Sequence, residues 1–344
     1  MSTTPTDGSK ISRVTEQKKQ KKYMTLNRFL VERQQLYPGA SGQFTNFMGQ
    51  IGTAAKIISN HMRRAALEGL LGRTGTKNVQ GEEVKKLDEI GNEIFVEAFE
   101  YVDIVGMLVS EEMSEAQLLT PEGETGGYVV MVDPIDGSSN IDVNGIIGSI
   151  FSVHDIAGDV EGSLKQKGSE QIAAGYMMYG SSTILVYTAG NGVHKFVLDD
   201  NIGEFILDEQ DLTIPERGDT FSANVGYYHR WTEPVRAFTD HVMRPENGPY
   251  SLRYSGALLA DLHRILHHGG IYYYPEDDER PDGKLRLLYE CAPLAMIAEE
   301  AGGAASTGTQ RVMDIEPNEI HQRSPLAIGS RKEVELYEQF HQKK

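Results

Sequence analysis

The sequence predicts an α+β fold in its first half and an α/β fold in its second half. Apolar residues recur at helical spacing over residues 44–65 and 87–98, whereas short apolar segments separated by glycine and Asp/Asn turns fill residues 148–207. After that stretch, helical and strand-like segments alternate. We therefore expect two domains, at residues 25–215 and 216–344.

The first half begins with a polar, lysine-rich stretch, residues 1–24, which we expect to be a solvated tail that does not fold alone. Ser41 is the predicted N-cap of the first long helix. The glycine-rich residues 72–83 are predicted to be a mobile loop before the second helix. Strands are expected at residues 106–110, 128–132, 148–154, 172–179, 183–188, 193–198 and 205–207.

The second half is predicted to contain helices at residues 233–243, 257–266, 291–301 and 331–342. Short strands are expected between them, at residues 271–274, 304–306 and 326–329.

Composition argues against several classes of function. The chain has 344 residues, 39% of them hydrophobic, and a formal net charge of −17, which disfavours a nucleic-acid or membrane-surface binder. Cys291 is the only cysteine, so no intrachain disulfide is possible. No apolar run reaches the length of a membrane span, and the first residues are polar. We expect a cytoplasmic protein without nucleic-acid or membrane partners.

An apolar run ends abruptly in two carboxylates. Residues 128–140 read Tyr-Val-Val-Met-Val-Asp-Pro-Ile-Asp-Gly-Ser-Ser-Asn, which places Asp133 and Asp136 where a buried strand stops. Pro134 has a fixed φ and helps to turn the chain, so that both carboxylates and the carbonyl of Ile135 can face one Mg²⁺ ion. The Gly-Ser-Ser that follows offers donors to a phosphate. Surface turns share this pattern, so a metal site here depends on further carboxylates.

A second predicted strand, residues 106–110, also ends in an acidic pair, Glu111 and Glu112. Two adjacent carboxylates that turn inward repel each other unless a cation lies between them. Four carboxylates on two strand ends are suited to a site with several Mg²⁺ ions.

Three later segments are rich in Tyr, Asn and Arg, whose hydroxyl, amide and guanidinium groups bind phosphate. These segments are residues 224–227, 253–256 and 270–274, and residues 283–291 add a lysine and a further glutamate. Each segment taken singly is more typical of structural packing.

Together, these motifs resemble those of class I fructose-1,6-bisphosphatases, within the Mg²⁺-dependent, Li⁺-sensitive sugar and inositol phosphatases. The larger group shares the acidic pair and Asp-Pro-x-Asp-Gly, whereas Asp-Pro-Ile-Asp-Gly-Ser-Ser-Asn-Ile-Asp and Lys-Leu-Arg-Leu-Leu-Tyr-Glu-Cys are narrower. Val-Lys-Lys-Leu-Asp at residues 84–88 and Ile-His-Gln-Arg at residues 320–323 add to the match. The resemblance implies a layered αβαβα sugar-phosphatase fold, hydrolysis of the 1-phosphate of fructose 1,6-bisphosphate in gluconeogenesis, and a homotetramer.

The resemblance also implies roles for individual residues. Two or more Mg²⁺ ions per subunit, with Mn²⁺ or Zn²⁺ as substitutes, would be held by Glu111, Glu112, Asp133, Asp136, Glu290 and the carbonyl of Ile135. Asp88 would join Glu112 in taking the proton from the attacking water, and Glu82 stands where many members carry an assisting aspartate in the mobile loop. The sugar bisphosphate would contact Asp136, Gly137, Ser138, Ser139, Asn224, Tyr227, Tyr254, Tyr274 and Lys284, with Arg253 reaching the 6-phosphate from a neighbouring subunit.

The sequence departs from the family where many members bind the inhibitor AMP. Here the first long helix begins at residues 41–45 with Ser-Gly-Gln-Phe-Thr, Gly127-Tyr128 replaces a Lys-Tyr pair, and Asp155 replaces an arginine. Losing two cations and gaining a carboxylate disfavours a phosphate, so we expect weak or absent AMP inhibition.

Three alternatives stay open beside a fructose-1,6-bisphosphatase. A sedoheptulose-1,7-bisphosphatase, or an enzyme accepting both sugars, would use the same metal and phosphate ligands. An inositol-type monophosphatase is disfavoured because the segments at Arg253 and Lys284 imply a second phosphate. A catalytically silent sugar-phosphate sensor is disfavoured by the complete set of carboxylates.

Overall fold

A computed structural model describes residues 23–77, 83–100, 102–120, 127–248 and 250–342 of the chain. The helices are α1 (Leu26–Gln34), α2 (Gln43–Glu68), α3 (Lys86–Glu100), α4 (Val160–Leu164), α5 (Glu233–Met243), α6 (Leu258–His268), α7 (Ala292–Glu300) and α8 (Arg331–Gln342). The strands are β1 (Arg73–Lys77), β2 (Glu83–Lys85), β3 (Val105–Ser110), β4 (Gln117–Leu118), β5 (Tyr128–Asp136), β6 (Ile147–Asp155), β7 (Ala173–Tyr179), β8 (Thr183–Thr188), β9 (Val193–Asp199), β10 (Glu204–Leu212), β11 (Thr220–Ser222), β12 (Ser251–Leu252), β13 (Ile271–Tyr274), β14 (Leu285–Arg286), β15 (Ala304–Ser306), β16 (Arg323–Ser324) and β17 (Leu326–Gly329).

Strands β3 to β10 form an eight-stranded sheet in the order β10-β9-β8-β7-β6-β5-β3-β4. Every neighbouring pair in this sheet is antiparallel except β3 and β5, which run parallel. Ser110 lies opposite Val132 in this parallel pair. Because parallel strands end at the same edge of a sheet, the acidic residues that follow Ser110 and Val132 come out side by side.

Helices cover both faces of the large sheet. On one face, α2 and α3 pack through fully buried residues such as Phe47 and Phe95 against Phe151 of β6. On the other face, α6 and α7 contribute Leu262 and Leu294 to a second core. The apolar faces of these amphipathic helices are thereby removed from water.

A second sheet, in the order β12-β11-β13-β17-β15, lies beyond α6 and α7. Its outer face packs against α5 and α8, where Phe238 and Tyr337 surround Tyr273 of β13. The order of layers is therefore helix, sheet, helix, sheet, helix, which confirms the predicted αβαβα fold. None of the described helices is long and apolar enough to cross a membrane.

Several local predictions for the first half were wrong. Gly42, at φ +86°, is the N-cap of α2, whereas the Ser41 hydroxyl accepts a hydrogen bond from the Gln43 N–H at 3.3 Å. Strands β1 and β2 pair antiparallel within the stretch expected to be a mobile loop, and residues 78–82 lie outside the described residues. Helix α1 was not anticipated. Met24, assigned to the tail, is buried, while residues 1–22 are not described.

Candidate active site

A cavity of about 300 Å³ lies where the ends of β3 and β5 meet loops of the second sheet. It brings together all the predicted site residues except Glu82 and Arg253, namely Asp88, Glu111, Glu112, Asp133, Ile135, Asp136, Gly137, Ser138, Ser139, Asn224, Tyr227, Tyr254, Tyr274, Lys284 and Glu290.

The sequence predicted a strand that stops before Asp133, and this was wrong. Strand β5 continues through Asp136. The register with β6 shifts between Asp133 and Asp136, since Pro134 lacks the N–H that a regular ladder needs. The Ile135 N–H donates to Asp133 Oδ1 at 3.0 Å, and the Ser149 hydroxyl donates to the Pro134 carbonyl at 2.6 Å. This irregularity aims two carboxylates of one strand into the cavity.

Glu290 reaches the same place from a π-helical turn, Leu287–Cys291, that leads into α7. Its Oε2 accepts a hydrogen bond from the Arg286 N–H at 2.5 Å. Carboxylate oxygens of Asp133, Asp136 and Glu290 lie within 4.8 Å of one another, and all three residues are buried.

These buried carboxylates are costly to ionise. Burial, together with the negative charges of its neighbours, raises the pKa of Asp133 and of Glu290 well above the usual range. Burial also raises the pKa of Asp136 to about 6, although the Leu259 N–H and the positive charge of Lys284 oppose the rise. A cation among the three carboxylates would remove this cost, so the donor set fits a hard metal ion.

Glu111 and Glu112 extend the acidic cluster from the end of β3. The Glu111 N–H donates to the Val132 carbonyl at 3.1 Å, which continues the parallel pairing one residue further. After burial, the charge of Glu111 is the next contribution that raises the pKa of both Asp133 and Glu290. Glu111 therefore lies near carboxylates from two other segments.

Asp88 stands in the first turn of α3 and is 4% exposed. Its Oδ2 accepts a hydrogen bond from the Lys85 N–H at 2.8 Å, whereas its buried Oδ1 has no hydrogen-bond partner among the described residues. Burial raises the pKa of Asp88 to about 7, against the opposing effect of the Lys85 N–H. A carboxylate with this pKa can accept and release a proton near neutral pH.

The cavity is also lined by neutral and cationic donors. Asn224 and Tyr227 come from the 3-10 segment after β11, and Tyr274 ends β13. The ammonium of Lys284 lies 5.9 Å from the centroid of the Tyr274 ring. Tyr254 is 37% exposed at the rim. Amide, phenol and ammonium groups in one place suit a phosphate.

Two cavity residues with polar side chains, Arg286 and Tyr272, were not predicted from the sequence. Arg286 is buried and lines the cavity between Lys284 and Glu290, and it belongs to the Lys-Leu-Arg motif already noted. Tyr272 also lines the cavity, two residues before Tyr274 on β13. The period of two along a strand, which puts both tyrosines on one face, was a signal that could have identified it.

Arg253 lies outside this cavity. It is exposed, and its Nη1 donates to the Leu252 carbonyl at 3.0 Å. Glu82 lies outside the described residues.

A separate cavity of about 410 Å³ lies beside α1, the start of α2 and Tyr128. Gly42, Phe44 and Thr45 line it, so the segments compared with the family's AMP site do meet in space. Asp155 faces Tyr128 across the β5–β6 pair, and burial, followed by the charge of Asp155, raises the pKa of the Tyr128 phenol. Asp155 is not among the residues that line this cavity, whereas the cationic Arg33 is, so weak AMP inhibition stays a prediction.

The αβαβα layers and a cavity that joins clustered carboxylates to phosphate-binding donors are the features expected of a metal-dependent phosphatase. The chain matches the family model described as Fructose-1-6-bisphosphatase, N-terminal domain, over residues 24–210 and the model of the C-terminal domain over residues 214–342. The chain therefore belongs to the fructose-1,6-bisphosphatase family and is a phosphatase.

Individual relatives agree over nearly the whole chain. The class 1 fructose-1,6-bisphosphatase of Chloroherpeton thalassium is 45% identical over 327 residues, covering 93% of each chain. That of Thermosynechococcus vestitus is 46% identical over 322 residues, covering 92% of each chain. The crystal structure of Leishmania major fructose-1,6-bisphosphatase in holo form superposes with a TM-score of 0.89 at 38% identity, covering 94% of this chain and 100% of that one.

Proposed function

We propose that the protein hydrolyses the 1-phosphate of D-fructose 1,6-bisphosphate to fructose 6-phosphate and phosphate, in gluconeogenesis. The observation that carries this proposal is one cavity lined both by buried carboxylates and by amide, phenol and ammonium donors. A substrate with two phosphates uses both sets of groups. Relatives that share 45% of their residues with this chain bear the name fructose-1,6-bisphosphatase.

We propose Mg²⁺ as the metal, with two or more ions per subunit and with Mn²⁺ or Zn²⁺ as substitutes. When bound, the metal would polarise the phosphoryl oxygens and lower the pKa of a water molecule. The residues that would hold it are Glu111, Glu112, Asp133, Asp136, Glu290 and the carbonyl of Ile135, all of which line the cavity.

In this proposal Asp88 and Glu112 take the proton from the attacking water. The buried Oδ1 of Asp88, for which the described part of the chain provides no hydrogen-bond partner, is the atom suited to accept it, because the pKa of this carboxyl is about 7. Glu82 would assist from the loop between β1 and β2. Its side chain is one methylene longer than that of the family's aspartate.

The chain's polar donors would orient the substrate. Asn224, Tyr227, Tyr254, Tyr274 and Lys284 would hold the 6-phosphate and the sugar, while Gly137, Ser138 and Ser139 would bind beside the 1-phosphate. Because the 6-phosphate does not react, its binding energy serves to orient the reacting phosphate. Monophosphates are therefore expected to be poorer substrates.

We further propose a cytoplasmic homotetramer whose subunits divide into domains at residues 25–215 and 216–344. The exposed Arg253 would reach the 6-phosphate of a neighbouring subunit, which is consistent with its position outside its own cavity. Analytical ultracentrifugation tests the assembly. The KM of an Arg253→Met variant for the bisphosphate tests the shared site, which requires an increase of about tenfold for the loss of one charged contact.

The decisive experiment measures phosphate release with and without Mg²⁺ from fructose 1,6-bisphosphate, sedoheptulose 1,7-bisphosphate, fructose 6-phosphate and inositol 1-phosphate. Wild type is compared with Glu112→Gln, which removes a carboxylate at nearly constant volume. We expect Mg²⁺-dependent turnover of fructose 1,6-bisphosphate that is lost in the variant. Faster turnover of the seven-carbon sugar would instead identify a sedoheptulose-1,7-bisphosphatase, and bisphosphate binding without any turnover would identify a sensor.

A further inference from the structure

The Ile-His-Gln-Arg motif at residues 320–323 has no place in the proposed chemistry, and none of its residues lines the catalytic cavity. His321 nevertheless contacts two segments that carry acidic site residues. Its Nδ1 lies 2.8 Å from the Tyr289 hydroxyl, and its Nε2 lies 2.8 Å from the Met113 carbonyl oxygen. A carbonyl can only accept, so Nε2 carries the proton and Nδ1 accepts from Tyr289.

The hydrogen bonds of His321 to Tyr289 and Met113 form a bridge between two residues that adjoin proposed metal ligands. Met113 directly follows Glu112, and Tyr289 directly precedes Glu290. We propose that His321 is a positioning residue that holds the Glu111-Glu112 segment and the Glu290 turn at the separation that metal binding needs. This inference rests on the proposed function, because it assigns His321 to the support of the proposed metal site.

The bridge is anchored at both ends. Tyr289 is fully buried in a small core with Met107 and Met131, which lie on the strands that carry the other carboxylates, and Ile320 packs on the same core. The carbonyl of Gln322 accepts a hydrogen bond from the Leu287 N–H at 2.8 Å, at the start of the Glu290 turn. The motif thus contacts the Glu290 turn through the main chain of Gln322. It contacts the Glu111-Glu112 segment through the side chain of His321.

A metal site is sensitive to such support because Mg²⁺ demands oxygen ligands in near-ideal octahedral geometry, at about 2.0–2.1 Å. Without the bridge, two hydrogen bonds that link the Glu290 turn to the end of β3 are lost. Loss of a group that hydrogen-bonds a metal ligand directly typically costs about 10–100-fold in metal affinity, and His321 acts one residue further out, so we expect a loss at the lower end of that range. Asn224, Tyr227 and Tyr274, which are proposed to bind phosphate, lie on other segments than Met113 and Tyr289, the two hydrogen-bond partners of His321.

The test separates metal binding from substrate binding in three variants. His321→Asn shortens the side chain that contacts Tyr289 and Met113, and Tyr289→Phe removes the hydroxyl that bonds His321 Nδ1. His321→Gln retains a donor that can reach the Met113 carbonyl. Mn²⁺ binding is measured without substrate by electron paramagnetic resonance, and phosphate release gives the half-saturating Mg²⁺ concentration and the KM at saturating Mg²⁺. We expect His321→Asn and Tyr289→Phe to weaken Mn²⁺ binding about tenfold and to leave KM unchanged, with His321→Gln recovering part of the loss.

The chain offers a matched control in Tyr176 and His263. The Tyr176 hydroxyl lies 2.7 Å from His263 Nδ1, and the ring centroids of this pair are 6.0 Å apart, as in the Tyr289–His321 pair. Neither control residue lines the catalytic cavity. His263→Asn should lower the melting temperature of the protein and leave metal affinity at the wild-type value.

Each outcome decides a different question. If wild type binds Mn²⁺ and hydrolyses a bisphosphate, and His321→Asn and Tyr289→Phe bind Mn²⁺ equally well, the inference is wrong and the proposed function stands. If His263→Asn weakens metal binding as much as His321→Asn, the effect is general destabilisation and the inference is again wrong. If wild type itself binds no metal and hydrolyses no bisphosphate, the proposed function fails first. Should His321→Asn not fold, Tyr289→Phe and His321→Gln still provide the comparison.

Discussion

Replacing Asp136 with asparagine should stabilise the metal-free protein at alkaline pH. Asp136 is 7% exposed, and its pKa is raised to about 6 chiefly because burial disfavours its charge. Above that pH the folded protein holds a buried charge that the unfolded chain would expose to water. Asparagine removes the charge and keeps an oxygen for the Leu259 N–H, which now donates to Asp136 Oδ2 at 3.3 Å.

The size of the gain follows from the shift in pKa. A rise from 3.8 to about 6 corresponds to about 3 kcal/mol of lost stability when the group is fully ionised. The raised pKa favours the folded state only where the carboxyl is protonated, so this contribution is complete below pH 3.8 and disappears as the pH rises through about 6. The variant should therefore gain about 3 kcal/mol at pH 8, or about 4 °C in Tm for 344 residues, and about half of that at pH 5.

Scanning calorimetry in EDTA at pH 8 and pH 5 measures this difference. Asp277→Asn is the matched control, because Asp277 is 4% exposed and its carboxylate pairs with Arg230 at 3.1 Å. Removing that charge leaves Arg230 without a partner for one of its contacts, so the control should lose stability at both pH values. Adding Mg²⁺ should stabilise wild type more than Asp136→Asn and reverse their order.

An Asp136→Asn variant that melts at or below the wild-type temperature in EDTA at pH 8 would contradict this prediction. A gain at pH 5 equal to the gain at pH 8 would also contradict it, since a charge effect must follow the titration of the carboxyl.

Four further measurements test the site. Glu112→Gln should lower kcat by about 10²–10⁴-fold with little change in KM, whereas an unchanged kcat would exclude proton acceptance by Glu112. Lys284→Met should raise KM for the bisphosphate by about 10–100-fold through the lost charge-assisted contact, and an unaltered KM would place the 6-phosphate elsewhere. An AMP titration should show weak inhibition or none, and potent inhibition through the 410 Å³ cavity would refute the expectation. Asp142 Oδ1 accepts a hydrogen bond from the Gly72 N–H at 3.0 Å, and its Oδ2 pairs with the Lys85 ammonium. Asp142→Asn should therefore speed amide hydrogen exchange in β1 and β2. Unaltered exchange would show that Asp142 does not hold these two strands in place.

Much of the architecture was predictable because local patterns carry it. Helix α5, strand β13 and strand β17 have the expected bounds, since their apolar periodicity and their glycine or proline boundaries lie within the segment itself. The acidic ends of β3 and β5 were predictable for the same reason. Helix α1 was missed. Its N-cap Thr25 and the three buried residues in its nine-residue span are weaker signals than those of α2.

The candidate site was only partly predictable, because convergence depends on pairing between distant segments. The parallel alignment of β3 with β5 places Glu111 beside Asp133, and an antiparallel pairing would have put these carboxylates at opposite edges of the sheet. Tyr272 lies on β13 of the second sheet and Arg286 on β14, which pairs with β16, and tertiary packing brings both to the cavity at the ends of β3 and β5. The contact of His321 with Met113 spans 208 positions, a distance that no local pattern encodes.

Residue types and short-range spacing determined which donors the protein possesses: carboxylates after buried strands, tyrosines with a period of two, and a lysine and a glutamate in one motif. Folding determined their charge states and their neighbours. Burial lifts the pKa of Asp88 to about 7, and three carboxylates from β5 and the Glu290 turn meet within 4.8 Å. The reason is physical: a residue's chemistry belongs to its side chain, whereas desolvation and distance arise only from the packing of segments that lie far apart in the chain.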